Sequence, residues 1–111
     1  AGTLRLMWIV KLGGSLARDA LLPRWLDLLA ELGGGRVIVV PGGGPFADQA
    51  REAQARWQFD DLAAHNMAVL GMAQSALLMQ GLCPQLQTAG SELQMRQVLQ
   101  RGRTALWLPL D

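Results

Sequence analysis

The chain is 111 residues long, a length that fits one small domain or part of a larger one. Half of its residues are hydrophobic and 17% are charged, so it is apolar for a small soluble domain, and this composition allows a missing partner surface or a missing second half. A net charge of +1 with scattered arginines argues against nucleic acid as a partner. The single Cys83 suits a reducing, cytoplasmic location, and the apolar start is too short for a membrane segment.

The first predicted elements are a strand and a helix. The apolar run Leu6 to Val10, closed by Lys11 and glycines, is typical of a strand covered on both faces. A helix is predicted from about Pro23, because proline disfavours helix at the residue before it and suits a first turn. One face of this helix is apolar: Leu22, Trp25, Leu26, Leu29 and Leu32. Gly33 to Gly35 should end it.

The next segment predicts a second strand followed by two helices. Val37 to Val40 is β-branched throughout, which favours a buried strand. Glycines follow Pro41, and helical spacing of apolar residues continues from Pro45 to Trp57. Asp60 or Asp61 is a candidate N-cap for a long helix over about 61–80.

This long helix lies in a stretch without formal charge, from Leu62 through Ser91. A helix that is apolar nearly all round is buried on most sides. Either a second domain or a second subunit should therefore cover it. We expect a homo-oligomer formed through the uncharged helix Leu62–Gln80, and no membrane partner.

The last segment predicts a helix and a strand. Gly81 and Pro84 break the chain, and Ser91 with Gln94 fits a capping box for a helix that ends at Gly102. Thr104 to Leu108 reads as a third short strand. The predicted order is β, α, β, α, α, α, β, which favours an α/β fold with a parallel sheet and helices on both faces.

The chain has one lysine, Lys11, among its ten lysine and arginine residues, and it stands where an apolar run meets Gly13, Gly14 and Ser15. An ammonium facing backbone amides is typical of a site that holds phosphoryl oxygens, although biased codon usage could also leave one lysine. A second cluster, Gly42 to Gly44, follows the second strand and leads into a helix whose N-terminus favours anions.

Both clusters should lie at the carboxyl edge of the sheet, where ligands bind in open α/β folds. They would be close together if their strands are neighbours. The pair predicts a site for two anionic groups with Lys11 between them. Neither G-x-x-x-x-G-K-[ST] nor G-x-G-x-x-G is present, and no residues at metal-ligand spacing stand out.

The first predicted strand is followed by Lys-x-Gly-Gly-Ser, and the second ends in Val-Pro-Gly-Gly-Gly. In this combination of motifs the chain resembles the amino acid kinase superfamily. The resemblance covers nearly the whole chain but only the family's amino-terminal half, so residues 1–111 would be one partial domain of a three-layer α/β/α sandwich. It implies an ATP-dependent kinase that transfers the γ-phosphoryl group to a carboxylate or phosphate. Segments 41–48, 57–61 and 64–68 most resemble the branch of aminomethylfuran phosphate kinases, which act in methanofuran-type cofactor synthesis.

The resemblance also implies roles for residues. Lys11 is similar to the catalytic lysine that balances charge on the transferring group, and the loop of Gly13, Gly14 and Ser15 to the one around the donor phosphates. The loop of Gly42, Gly43 and Gly44 is similar to the one that donates amides to the acceptor. Asp48 could face an acceptor amine, or it could be a solvated carboxylate near the helix N-terminus.

The family's nucleotide half would follow the last strand, and it has no counterpart here. The resemblance implies ATP and Mg²⁺ as cofactors, whereas the adenine and ribose pocket and the Mg²⁺ contacts should be missing. The chain would then be a fragment, a split subunit or an incompletely represented protein, inactive alone. The alternative is a non-catalytic binding or assembly subunit that keeps this fold without the nucleotide half.

Overall fold

The computed structural model describes residues 6–13, 16 and 18–110, which form four strands and four α-helices. In chain order these elements are β1 Trp8–Leu12, α1 Leu22–Leu32, β2 Val37–Pro41, α2 Gly44–Trp57, α3 Asp61–Leu82, β3 Gln87–Ala89, α4 Glu92–Gln100 and β4 Ala105–Trp107. The described part of the chain therefore forms an α/β fold, as the sequence predicts.

The strands form one sheet in the order β1-β2-β4-β3, and every pairing in it is parallel. The first two strands are neighbours, with Lys11 opposite Val40 and Leu12 opposite Pro41. The carboxyl ends of β1 and β2 are therefore level with each other. This register is what brings the two glycine clusters together.

Helices cover both faces of the sheet. On one face, α1 and α3 enclose the main core, which includes Leu26, Val39, Met79 and Leu106. On the other face, α4 packs Val98 and Leu99 against Ala89 and Ala105, with Ile38 partly buried beside them. With α2 packed against α3, the layers are helix, sheet and helix.

The first strand differs from the prediction in place and burial. It begins at Trp8 instead of Leu6 and includes Lys11, which the sequence had placed just after it. The prediction that both faces are covered is also wrong for this strand, since Trp8 is 63% and Ile9 66% exposed. The reason is its position at the sheet edge, whereas α4 lies over β3 and β4.

One strand was not predicted. The segment Gln87–Ala89 pairs in parallel with β4, although it is three residues long and two of them are polar. Such a segment is too short to show alternation, so only its pairing partner makes it a strand. The observed order therefore has β3 between α3 and α4.

Both predicted helix caps are present. Asp60 caps α3, because its Oδ1 accepts a hydrogen bond of 2.9 Å from the Ala63 N–H. Ser91 caps α4 by accepting from the Gln94 N–H at 3.2 Å. The Gln94 side chain accepts in return from the Gly90 N–H at 2.7 Å, one residue earlier than in the standard capping box.

The uncharged helix α3 is less covered than its sequence predicts. The face of α3 that packs on the core is buried, but only 28% of its most apolar 18-residue window is buried. Exposed apolar side chains on it include Leu62 and Leu70, at 68% and 57%. By length and composition alone α3 could cross a membrane, a test that core helices of soluble proteins also pass. The expected cytoplasmic location stays a prediction.

Candidate functional site

The two glycine clusters touch each other at the carboxyl ends of β1 and β2. The Gly42 N–H donates to the Leu12 carbonyl at 2.8 Å, which fixes the second loop to the end of β1. A Cβ on Gly42 would lie 3.0 Å from the Gly13 Cα, and a Cβ on Gly13 would lie 3.3 Å from the Gly42 Cα. Glycine at both positions is therefore what lets the loops approach so closely.

The second loop leads directly into α2. Gly44 has φ of +55°, a conformation that costs other residues energy, and a Cβ on Gly43 would clash with the Ala47 Cβ. Gly43 is the N-cap and makes no side-chain cap. Pro45 has no N–H and the Ala47 N–H donates to the Gly43 carbonyl at 3.1 Å, so among the described residues the Gly44 and Phe46 N–H groups remain to bind a ligand. With the helix dipole, they favour an anion at this end.

A buried hydroxyl on α3 holds this loop in place. The Ser75 Oγ donates to the Gly43 carbonyl at 3.2 Å, and Ser75 is 3% exposed. One turn earlier, a Cβ on Gly71 would lie 3.1 Å from the Ala47 nitrogen, so the glycine there brings α3 close to α2. The sequence analysis missed both residues. The available signal was their spacing, since two small residues four apart in a helix lie on one face.

Lys11 stands beside the loops on β1 and is exposed. It lines a depression of about 290 Å³ together with Leu12, Gly13, Val40, Pro41, Gly42 and Met72. A larger depression of about 500 Å³ lies elsewhere, between α4 and the uncovered part of the sheet, and shares none of these residues. The smaller one is the candidate site, because it combines the Lys11 ammonium with Gly13 and Gly42 of the two loops.

The other predicted site residues fall into two groups. Gly14 and Ser15 lie outside the residues that the structure describes. Asp48 lies in α2, and each of its carboxylate oxygens accepts a hydrogen bond from an arginine: Oδ2 from Arg18 at 2.7 Å and Oδ1 from Arg51 at 2.6 Å. Neither arginine was a candidate in the sequence analysis. The predicted contact of Asp48 with an acceptor amine stays a prediction.

The donors of the candidate site suit phosphoryl oxygens better than a metal ion. Backbone amides at a helix N-terminus and one ammonium are suited to phosphoryl oxygens. Within residues 6–13, 16 and 18–110, no group of three or more His, Cys, Asp or Glu side chains could hold a metal ion. These residues would thus hold phosphate groups, and we assign no Mg²⁺ ligand to them.

Comparisons with known proteins point the same way. A sequence model described as the amino acid kinase family matches residues 7–106. Over 64 residues, 57% of this chain and 30% of its relative, the chain is 34% identical to [5-(aminomethyl)furan-3-yl]methyl phosphate kinase of Methanocaldococcus jannaschii. The crystal structure of uridylate kinase from Archaeoglobus fulgidus matches with a TM-score of 0.71 and 16% identity, over 91% of this chain and 50% of that one. The chain thus spans half or less of these relatives.

Proposed function

Because the chain belongs to the amino acid kinase family, we propose that it is the acceptor-side half of an ATP-dependent small-molecule kinase. The observation that carries this proposal is the direct contact of two glycine loops at Gly13 and Gly42, with Lys11 beside them and the N-terminus of α2 behind them. The four features together provide donors for two phosphoryl or carboxyl groups in one small space.

In this proposal the chain acts by positioning and by electrostatic stabilisation. ATP supplies the phosphoryl group. Lys11 offsets negative charge on the oxygens of the transferring group, and the free amides at the start of α2 donate to the acceptor. Ser75 keeps these amides in place through the Gly43 carbonyl. A rigid loop matters because preorganised donors need no rearrangement during the reaction.

We further propose a carboxylate or phosphate as the acceptor, with an aminomethylfuran phosphate as the specific candidate. The support for the candidate is the 34% identity over 64 residues to a kinase of that name. The support for an anionic acceptor is physical, since the amides at a helix N-terminus bind anions.

The residues that bind the adenine and ribose of the nucleotide are proposed to lie outside this chain. Half of the uridylate kinase chain has no counterpart in the match. The sheet also has apolar area to cover, including Ile9 and, away from the site, the 500 Å³ depression lined by Met7, Ile38 and Met95. A second half, in the same polypeptide or in a partner chain, would bury it.

The first experiment is to measure the intact mass of the protein from its native source, followed by ATP-dependent phosphorylation of carboxylic acids and phosphate monoesters by that protein. Lys11→Ala should lower kcat by at least about a hundredfold with an unchanged circular dichroism spectrum, because a preorganised charge is lost. Wild-type turnover in this variant would refute the role of Lys11. A native mass equal to that of the chain alone, with no partner, would refute the kinase proposal.

A second candidate function is a non-catalytic binding or assembly subunit. The exposed apolar residues of α3 support association under this function and under the kinase function alike, because Leu70 and Leu77 are 57% and 50% exposed and two turns apart. Under either function we propose that α3 pairs with a second copy. Light scattering should show a dimer that Leu70→Glu with Leu77→Glu converts to a monomer. Phosphate binding without ATP turnover in the native protein would favour this candidate over the kinase.

A further inference from the structure

Three charged side chains link the segments that leave the two glycine loops. Arg18 follows the first loop, and Asp48 lies in α2, which the second loop begins. The ion pair between them, at 2.7 Å, spans 30 residues of sequence. Arg51, one turn along α2 from Asp48, completes a cluster that we call the arginine clamp: Arg18, Asp48 and Arg51.

Among the described residues, the clamp carries excess positive charge and has N–H donors beyond those that bind Asp48. Two guanidinium groups face one carboxylate, so its net charge is positive. Each guanidinium has five N–H donors, and the described contact of each with Asp48 uses one terminal nitrogen, Nη2 of Arg18 and Nη1 of Arg51. The other donors can bind a second anion, and the planar fork of arginine matches phosphate and carboxylate oxygens.

The position of the clamp relates it to the glycine loops. Asp48 lies four residues after Gly44, or about 6 Å along the helix axis. Gly44 and Asp48 also lie on the same face of α2, since residues four apart in a helix are neighbours. A ligand at the N-terminus of α2 is thus within one helical turn of the clamp.

We propose that Arg18 and Arg51 bind the anionic group of the phosphoryl acceptor, and that Asp48 is the positioning residue that holds the two guanidiniums together. This inference rests on the proposed function and names a feature of its substrate: the acceptor carries a phosphate or carboxylate at this end. It differs from a direct contact between Asp48 and an acceptor amine in that Asp48 acts on the two arginines, from which both of its carboxylate oxygens accept.

The two roles of Asp48 predict different results with a matched pair of small esters. Ethyl phosphate and 2-aminoethyl phosphate share the phosphate, and the second also has an amine. If Asp48 positions the arginines, Asp48→Asn lowers the affinity for both esters by a similar factor. If Asp48 contacts an amine, the same variant lowers the affinity for the amine-bearing ester alone. Dissociation constants can be measured on this chain by NMR titration.

The arginines are tested with the same esters and an internal control. Arg18→Gln and Arg51→Gln should each lower the affinity for ethyl phosphate about tenfold, because each loses a hydrogen bond between a charged guanidinium and the phosphate. Arg96→Gln is the control, because Arg96 also pairs with a carboxylate at 2.6 Å and is 69% exposed, but it lies on α4. It should bind ethyl phosphate as the wild type does. All these residues are exposed, so the variants should fold, which circular dichroism checks.

Several outcomes would overturn the clamp. Among them are wild-type affinity in Arg18→Gln and Arg51→Gln, equal losses in Arg96→Gln, a loss confined to the amine-bearing ester in Asp48→Asn, and no binding of ethyl phosphate to the wild-type chain. The proposed kinase function is judged separately, by turnover with ATP and by Lys11→Ala. Lost binding in Lys11→Ala with normal binding in Arg18→Gln would refute the clamp and leave the kinase proposal standing.

Discussion

Adding one methyl group at Gly42 should force the two glycine loops apart. The new Cβ would lie 3.0 Å from the Gly13 Cα, whereas carbon atoms in contact prefer about 3.5–4.0 Å, so the loops must separate by at least about 0.5 Å. The three atoms nearest to the new Cβ are backbone atoms of Leu12 and Gly13, so no side chain can rotate away. The shift also strains the 2.8 Å bond from the Gly42 N–H to the Leu12 carbonyl. We expect Gly42→Ala to lower the free energy of unfolding by about 1–3 kcal/mol, the usual cost of overpacking.

The matched control is the same substitution at Gly81. This glycine lies in α3, and a Cβ there would meet no atom within 4 Å. Gly81→Ala should therefore stabilise the chain by about 0.5–1 kcal/mol, because alanine loses less backbone entropy on folding. Urea denaturation followed by circular dichroism measures both variants, and an NMR titration with inorganic phosphate reports on the site.

Gly42→Ala should also weaken phosphate binding, while Gly81→Ala leaves it unchanged. In the complete kinase, a displacement of this size in the acceptor loop should lower turnover by up to about a hundredfold. A Gly42→Ala chain as stable as the wild type, with the same phosphate affinity, would refute the reasoning, since the contact between the loops would then have no physical consequence.

The remaining predictions concern the core. Leu26→Ala, at a side chain with no exposed surface, should cost about 2–5 kcal/mol in urea denaturation, and a cost below about 1 kcal/mol would show that the site collapses around the cavity. Thr104→Val removes the 2.7 Å bond from Oγ1 to the Leu29 carbonyl and should cost about 1 kcal/mol, since that carbonyl still accepts from the Gly33 N–H; a cost above about 3 kcal/mol would contradict this. Burial is the main cause that raises the pKa of the Cys83 thiol above its usual 9.0, and a hydrogen bond with Asp27 is the second. The folded state thus holds the proton more tightly, so this stabilisation is full below pH 9.0 and is lost as the pH rises through the raised pKa. Between about pH 8 and pH 10 the wild type should lose more stability than Cys83→Ala, and equal losses would refute it.

The sequence predicts most of the fold because its signals are local. Proline at the start of α1, Asp60 and Ser91 at helix starts, and glycines after α1 each act within one turn of backbone, so they need no partner elsewhere. The β-branched run in β2 is similarly clear. The strand Gln87–Ala89 escaped prediction because its structure depends on pairing with β4, which is distant in sequence.

The site divides in the same way. Its glycines and its lysine could be singled out from the sequence, since glycine clusters directly after predicted strands are typical of ligand-binding loops. Ser75 could not be assigned a role, because its hydroxyl acts on Gly43, 32 residues away. The two arginines that bind Asp48 could likewise not be assigned a role from the sequence, because Arg18 reaches Asp48 only through the fold, across 30 residues of sequence.

What the sequence determined by itself is thus the set of elements and the chemical groups at the ends of β1 and β2, since backbone conformation and residue type are local properties. Only the tertiary structure decided that Gly13 touches Gly42, that Arg18 pairs with Asp48, and that β1 lies exposed at the sheet edge. The physical reason is that each of these contacts joins segments about 30 residues apart, or depends on strand order. Hydrophobic periodicity records which side of an element is buried, and it does not record which element covers that side.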